Sequence, residues 1–162
     1  MWIQNVSMTD IRLGFHIDPG FNSMLIQIVD PATEFPVPKY AFRETHQFEF
    51  LDVERDDNFP DECKCTDEQA QKLVGLLHHA LENHMNVIVH CHAGVCRSGA
   101  VAEVGVAMGF RDTEAFRSPN LLVKHRMMKA LGWAYDENEK HSINGETTDW
   151  GFVIPKSREG DL

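Results

Sequence analysis

The chain has no apolar run approaching the roughly 20 residues that cross a bilayer. Its first residues also lack a basic region leading into an apolar stretch and a cleavage site. The expected location is therefore the cytoplasm, with no membrane partner. Basic residues are scarce: 15 Lys and Arg stand against 25 Asp and Glu, a formal net charge of −10. That balance argues against broad nucleic-acid or anionic-lipid binding, which draws on many phosphate contacts. An anionic substrate must instead be captured by a local positive pocket. Cysteine is sparse as well, and four thiols without an extracellular context read as reduced rather than as a disulfide framework. Cys63-Lys64-Cys65 has neither the spacing nor the second pair of a structural zinc site, so no metal and no cofactor is expected. Internal repeats and low-complexity segments are missing, and the 162 residues read as one domain, large enough for a sizeable core.

What is present is concentrated in one stretch, Val87-Ile88-Val89-His90-Cys91-His92-Ala93-Gly94-Val95-Cys96-Arg97-Ser98-Gly99-Ala100. An apolar, β-branched run leads into Cys91, and from Arg97 onward small and apolar residues continue to Met108. The order reads as strand, loop, helix. A loop closing on a helix N-terminus aims unpaired backbone N–H groups and the positive end of the helix dipole at one spot, which makes an anion site. A cysteine at its base is favoured as the nucleophilic thiolate. Arg97 adds a planar, permanently charged fork that can take two oxygens of a phosphoryl group.

Around this stretch the pattern predicts a short strand over residues 1–8, a helix start at Thr9-Asp10, a turn at Asp18-Pro19-Gly20 and a buried strand over Met24–Val29. A loop holds Pro36 and Pro38. A third strand is expected over His46–Val53, with Phe48, Phe50 and Asp52 on one face by the period of two. Polar residues that end a strand beside an anion site are candidates for chemistry, which brings Asp52 into view. Residues 54–65 form a polar loop. Thr66 and Gln69 have capping-box spacing, and Ala70, Leu73, Val74, Leu77 and Leu81 supply the core face of the helix that follows, ending near Asn83-His84. Gly109 stops the helix after the loop, and a last helix runs from the Asn120 cap to Leu131 before Gly132. Strand, helix and strand in this order favour an α/β fold, a mostly parallel central sheet flanked by helices. Residues 133–162, with Trp133, Tyr135, Trp150, Phe152 and Ile154 as anchors, are expected to be an irregular extension to a core of about 1–132.

His90, Cys91, the five residues to Arg97, and Ser98 resemble the HCx5RS signature of the cysteine-dependent protein phosphatases, with Gly94 where that signature has its glycine. With Phe50-Leu51-Asp52-Val53, Thr66 to Leu81 and Ser118-Pro119-Asn120-Leu121, the chain is most similar to the small bacterial and phage dual-specificity-like tyrosine phosphatases, over roughly residues 20–131. The resemblance implies that fold, and hydrolysis of phosphate monoesters on protein through a phosphocysteine intermediate. Cys91 is then the nucleophile. His92, Ala93, Gly94, Val95, Cys96 and Arg97 hold the phosphoryl oxygens, Ser98 assists the sulfur as leaving group, and His90 orients the loop. Asp52 is the first choice of general acid, with Asp57, Asp56 and Asp61 as alternatives. Cys96 stands where related loops often carry serine; it either fills a serine-sized space or offers a second thiol to an oxidised Cys91. Lys124, His125 and Arg126 either help receive an anionic substrate or form a solvated helix face.

The expected partner is a phosphorylated protein carrying phosphotyrosine, and potentially phosphoserine or phosphothreonine. The same loop type also serves phosphoinositide, nucleotide or RNA 5′-phosphate hydrolysis, and a catalytically silent phosphate-binding module is a further alternative. A sulfurtransferase or arsenate reductase fits less well: the former tend to have shorter loops, and the latter carry theirs near the N-terminus.

Overall fold

Residues 1–54 and 59–133 are described in the computed structural model. Their order is β1 (Trp2–Ser7), α1 (Met8–Leu13), β2 (Ser23–Val29), β3 (Glu44–Glu49), a 3₁₀ turn (Asp61–Cys63), α2 (Asp67–Glu82), β4 (Asn86–Cys91), α3 (Arg97–Met108), β5 (Arg111–Asp112) and α4 (Leu121–Ala130). The strands form one sheet in the order β3-β2-β4-β1-β5, and every pairing is parallel. This is the α/β class that the strand-helix-strand order implies. No helix among the described residues is long and apolar enough to cross a membrane.

β2 is buried at every position, as suits a strand covered on both faces. Met24, Ile26 and Ile28 join Ile3, Val87 and Val89 under Leu73 and Leu77 of α2, Val101 and Val104 of α3, and Met127 of α4. The intervening side chains, Leu25, Ile88, Trp2 and Val6, pack with Ile11 of α1 on the opposite face. The period of two thus divides the apolar residues between two layers. At Leu73 or Leu77, both fully buried, truncation to alanine would cost about 2–5 kcal/mol. α2 starts with the expected capping box: Thr66 Oγ1 accepts from the Gln69 N–H at 3.1 Å, and Gln69 Oε1 accepts from the Thr66 N–H at 2.9 Å. Ala80, rather than the half-buried Leu81, completes its core face.

Two boundaries shift, and one short strand is added. β3 runs from Glu44 to Glu49 instead of from His46 to Val53. Its partner β2 ends at Val29, opposite Glu49, and after a last bond from the Phe50 N–H to the Val29 carbonyl the chain turns away, with the Leu51 N–H donating to Cys63. Asp52 therefore lies beyond the strand and is exposed, whereas Phe48 and Phe50 are buried. α1 begins at Met8 because Ser7 caps it, its Oγ accepting from the Asp10 N–H. The two-residue β5 is too short to leave a periodic signal. Trp133 is buried in the larger core cluster, while Tyr135, Trp150, Phe152 and Ile154 lie outside the described residues.

Candidate active site

In a parallel sheet all strands end on the same side, and the crevice outside their carboxyl ends is where such folds hold ligands. Ser7 at the end of β1, Val29 at the end of β2, Glu49 at the end of β3 and Cys91 at the end of β4 share that side. The segment from His92 to Cys96 links β4 to α3 across it.

The loop's carbonyls are turned outward and taken up there. The Met8 N–H donates to His92 O at 3.1 Å, the Ser118 N–H to Val95 O at 3.1 Å and the Asn120 N–H to Cys96 O at 2.9 Å. Asn5 Nδ2 donates to Gly94 O at 2.8 Å and to Phe116 O at 2.9 Å. In a planar trans peptide the carbonyl and the following N–H point in opposite directions. Anchoring those four carbonyls outside therefore turns the N–H groups of Ala93, Val95, Cys96 and Arg97 toward the concave side. Cys96 caps α3 without a side-chain hydrogen bond, and no acidic residue lies in the first turn, so the positive helix end faces the same hollow. Gly94 allows the close approach on which the loop depends: its φ is +77°, and a Cβ there would sit 2.3 Å from the Val6 carbonyl carbon.

Cys91 is 2% exposed, and its Sγ accepts from the Gly94 N–H at 3.2 Å and lies 3.2 Å from Ser98 Oγ. Arg97 is 4% exposed. Its Nη1 donates to Asp30 Oδ1 at 2.7 Å and to the Phe50 carbonyl at 2.8 Å, while its buried Nε has no partner among the described residues. A charged, buried donor left unmatched is costly unless a ligand completes it. His90 is fully buried, and its Nδ1 donates to the Cys91 carbonyl at 3.1 Å rather than to the thiol. His92 and Ala93 are exposed beside the hollow, and Val95 and Cys96 are half-buried. The Cys96 thiol is pushed up, by burial first and then by the negative charges of Asp52 and Cys91.

The candidate acids part company. Asp52 Oδ1 accepts from Asn120 Nδ2 at 2.6 Å, and the same Asn120 caps α4 by accepting from the Val123 N–H at 3.0 Å. Asp61 opens the 3₁₀ turn, and Asp56 and Asp57 lie outside the described residues. Lys124, His125 and Arg126 do not form a receiving face. Lys124 and His125 are buried, Lys124 pairing with Glu103 at 2.6 Å, and Arg126 donates to the Cys65 carbonyl at 2.7 Å. Lys124 is thus taken up by α3, and Arg126 by the start of α2 and the residues just before it. Cys65 is buried, and burial pushes its thiol up to about 12. Among the described residues no three His, Cys, Asp or Glu side chains are grouped to hold a metal.

Sequence reasoning missed Asn5 and Asp30. The rule that drew attention to Asp52, a polar residue where a strand ends, applies with more force to Asp30, which directly follows β2. Asn5, buried in β1, carried no signal beyond being polar in an apolar strand.

Burial lowers the His90 imidazole to about 4, with the nearby Arg12 and Arg97 charges adding to the effect and the Cys91 carbonyl opposing it. Folded His90 stays neutral between about pH 4 and pH 6.5 while the unfolded chain takes up a proton, so stability is full above that window and falls as pH drops through it. Between about pH 7 and pH 4.5 the wild type is expected to lose about 2–3 kcal/mol more than His90→Gln, read from urea midpoints.

No protein-family model matches the chain, and no curated protein matches it. Among solved structures, OH1 from the Orf virus, described as a tyrosine phosphatase that displays distinct structural features and triple substrate specificity, is similar over 79% of this chain and 81% of its own. The two are 15% identical, with a TM-score of 0.46. A likeness at that level leaves function to be argued from this chain's own residues.

Proposed function

We propose that the protein is a cysteine-dependent phosphatase that hydrolyses phosphate monoesters on protein, phosphotyrosine first and phosphoserine or phosphothreonine second, through a phosphocysteine intermediate. One observation carries the reading: the sulfur of Cys91 and the unmatched Nε of Arg97 belong to the same loop, whose outward-bound carbonyls leave its amides facing inward.

Cys91 Sγ attacks phosphorus in line; the S–P bond forms as the ester P–O bond breaks. The loop amides and Arg97 hold the equatorial oxygens, where charge must be stabilised throughout. The departing oxygen takes a proton from a carboxylic acid. A water activated by the resulting carboxylate then attacks the phosphocysteine, the S–P bond breaks, and phosphate leaves. Ser98 Oγ, 3.2 Å from the sulfur, donates to the departing thiolate. Splitting one displacement in two replaces a high barrier with two lower ones.

Asp52 is the proposed acid, held by Asn120. Asp52→Asn is expected to slow phosphopeptide turnover by roughly 10²-fold or more. It should slow para-nitrophenyl phosphate much less, because that leaving group hardly needs a proton. Equal and negligible effects on both substrates in steady-state assays would transfer the role to Asp56, Asp57 or Asp61.

A further inference from the structure

Arg97 can serve a phosphoryl group only if the correct edge of its guanidinium faces the loop, and the geometry points to Asp30 as the positioning residue that turns it there. This inference rests on the proposal that the loop from Cys91 to Arg97 binds a phosphoryl group.

A guanidinium presents a side edge, Nε with Nη2, and an end edge, Nη1 with Nη2; either can grip two oxygens. Here Nη1 is occupied twice, by Asp30 Oδ1 at 2.7 Å and by the Phe50 carbonyl at 2.8 Å. Two acceptors on one nitrogen fix the plane of the fork and remove the end edge from use. Nε, buried and unmatched, belongs to the edge that remains. The Phe50 carbonyl is backbone and acts whatever the side chains are. Asp30 is the side chain of the pair.

Its attachment is stiff. Asp30 directly follows β2, buried along its whole length, and its carbonyl accepts from the Thr33 N–H at 3.1 Å in the turn that follows. The contact joins an arginine side chain that is 5% exposed to an aspartate side chain that is 52% exposed. Removing the carboxylate leaves a buried charge with one acceptor fewer, which costs some stability, but the Phe50 carbonyl still accepts from Nη1, so the fold should stay intact. What the carboxylate gives is a prepaid orientation: the arginine does not have to be immobilised when substrate arrives. Asp30 also places a negative charge beside the proposed anion site, which opposes binding through space. The two effects predict opposite results and can be separated.

Tungstate serves as the phosphate probe, its affinity measured by calorimetry on the full chain, alongside kcat and KM with para-nitrophenyl phosphate and thermal melting. Asp30→Ala, and Asp30→Leu, which keeps bulk without an acceptor, are expected to weaken tungstate binding and lower kcat/KM on the order of tenfold or more, with a single cooperative melting transition retained. Asp30→Asn, whose amide oxygen can still accept from Nη1, should recover most of the loss. Wild-type tungstate affinity in Asp30→Ala and Asp30→Leu, or tighter binding in all three variants as charge repulsion alone would give, overturns the inference. Both results leave the phosphatase reading standing. A wild type that neither binds tungstate nor turns over the aryl ester removes that reading itself.

Discussion

Cys91→Ser is expected to lower para-nitrophenyl phosphate turnover by more than about 10³-fold, as loss of a nucleophile does when its partners act with it as a unit. Serine keeps a hydrogen-bonding atom but needs a base to take its proton, and the partners of the Cys91 sulfur, the Gly94 N–H and Ser98 Oγ, are not bases. His90, which precedes Cys91, turns its Nδ1 to the Cys91 carbonyl and is held neutral by burial. The Gly94 N–H and Ser98 Oγ, both 3.2 Å from the sulfur, favour an anion that a serine hydroxyl does not readily become. The groups proposed to hold the oxyanion are untouched, since none of the outward anchors at Met8, Asn5, Ser118 and Asn120 involves the sulfur. Tungstate affinity should therefore stay within several-fold of wild type. Turnover retained at near wild-type rates by the serine variant would mean that another residue is the nucleophile.

Gly94→Ala should damage both the fold and the site. The residue sits at φ +77°, and a Cβ would lie 2.3 Å from the Val6 carbonyl carbon and 2.4 Å from the Ser7 nitrogen. Both atoms are backbone of β1, which is paired along its length with β4, so neither can swing aside as a flexible side chain could. The loop must retreat instead. Strain at a positive φ together with the overpacking should cost about 2–5 kcal/mol of stability, measured by urea unfolding. Retreat by about 1 Å would also spoil the Gly94 amide's bond to the sulfur and the Gly94 carbonyl's bond to Asn5, and a misplacement of that size typically costs on the order of 10²-fold in kcat/KM. A variant with wild-type stability and turnover would show that the loop does not need its contact with β1.

Cys91, Arg97, Ser98 and Gly94 could be read from the chain because they are local. Five residues between a strand and a helix can close in few ways, and their spacing carries the geometry. The buried strands and the capping box of α2 were legible for the same reason: periods of two and 3.6 residues are properties of the backbone. The end of β3 was not legible. Where that strand stops depends on where β2, its partner, stops, and the apolar alternation continues past that point. Lys124 and Arg126 were ambiguous because a basic helix residue reads the same whether it meets solvent, substrate or a neighbouring helix.

The sequence by itself determined a strand-loop-helix with a thiol and a guanidinium in one short segment, and the α/β class around it. The tertiary structure alone decided what each of those groups leans on. Arg97 meets Asp30 across 67 residues and Phe50 across 47, and Asp52 meets Asn120 across 68. Those contacts exist because β2 lies between β3 and β4 in the sheet, bringing the ends of β2 and β3 beside the loop. Strand order is a property of the whole chain's packing, and no local spacing records it.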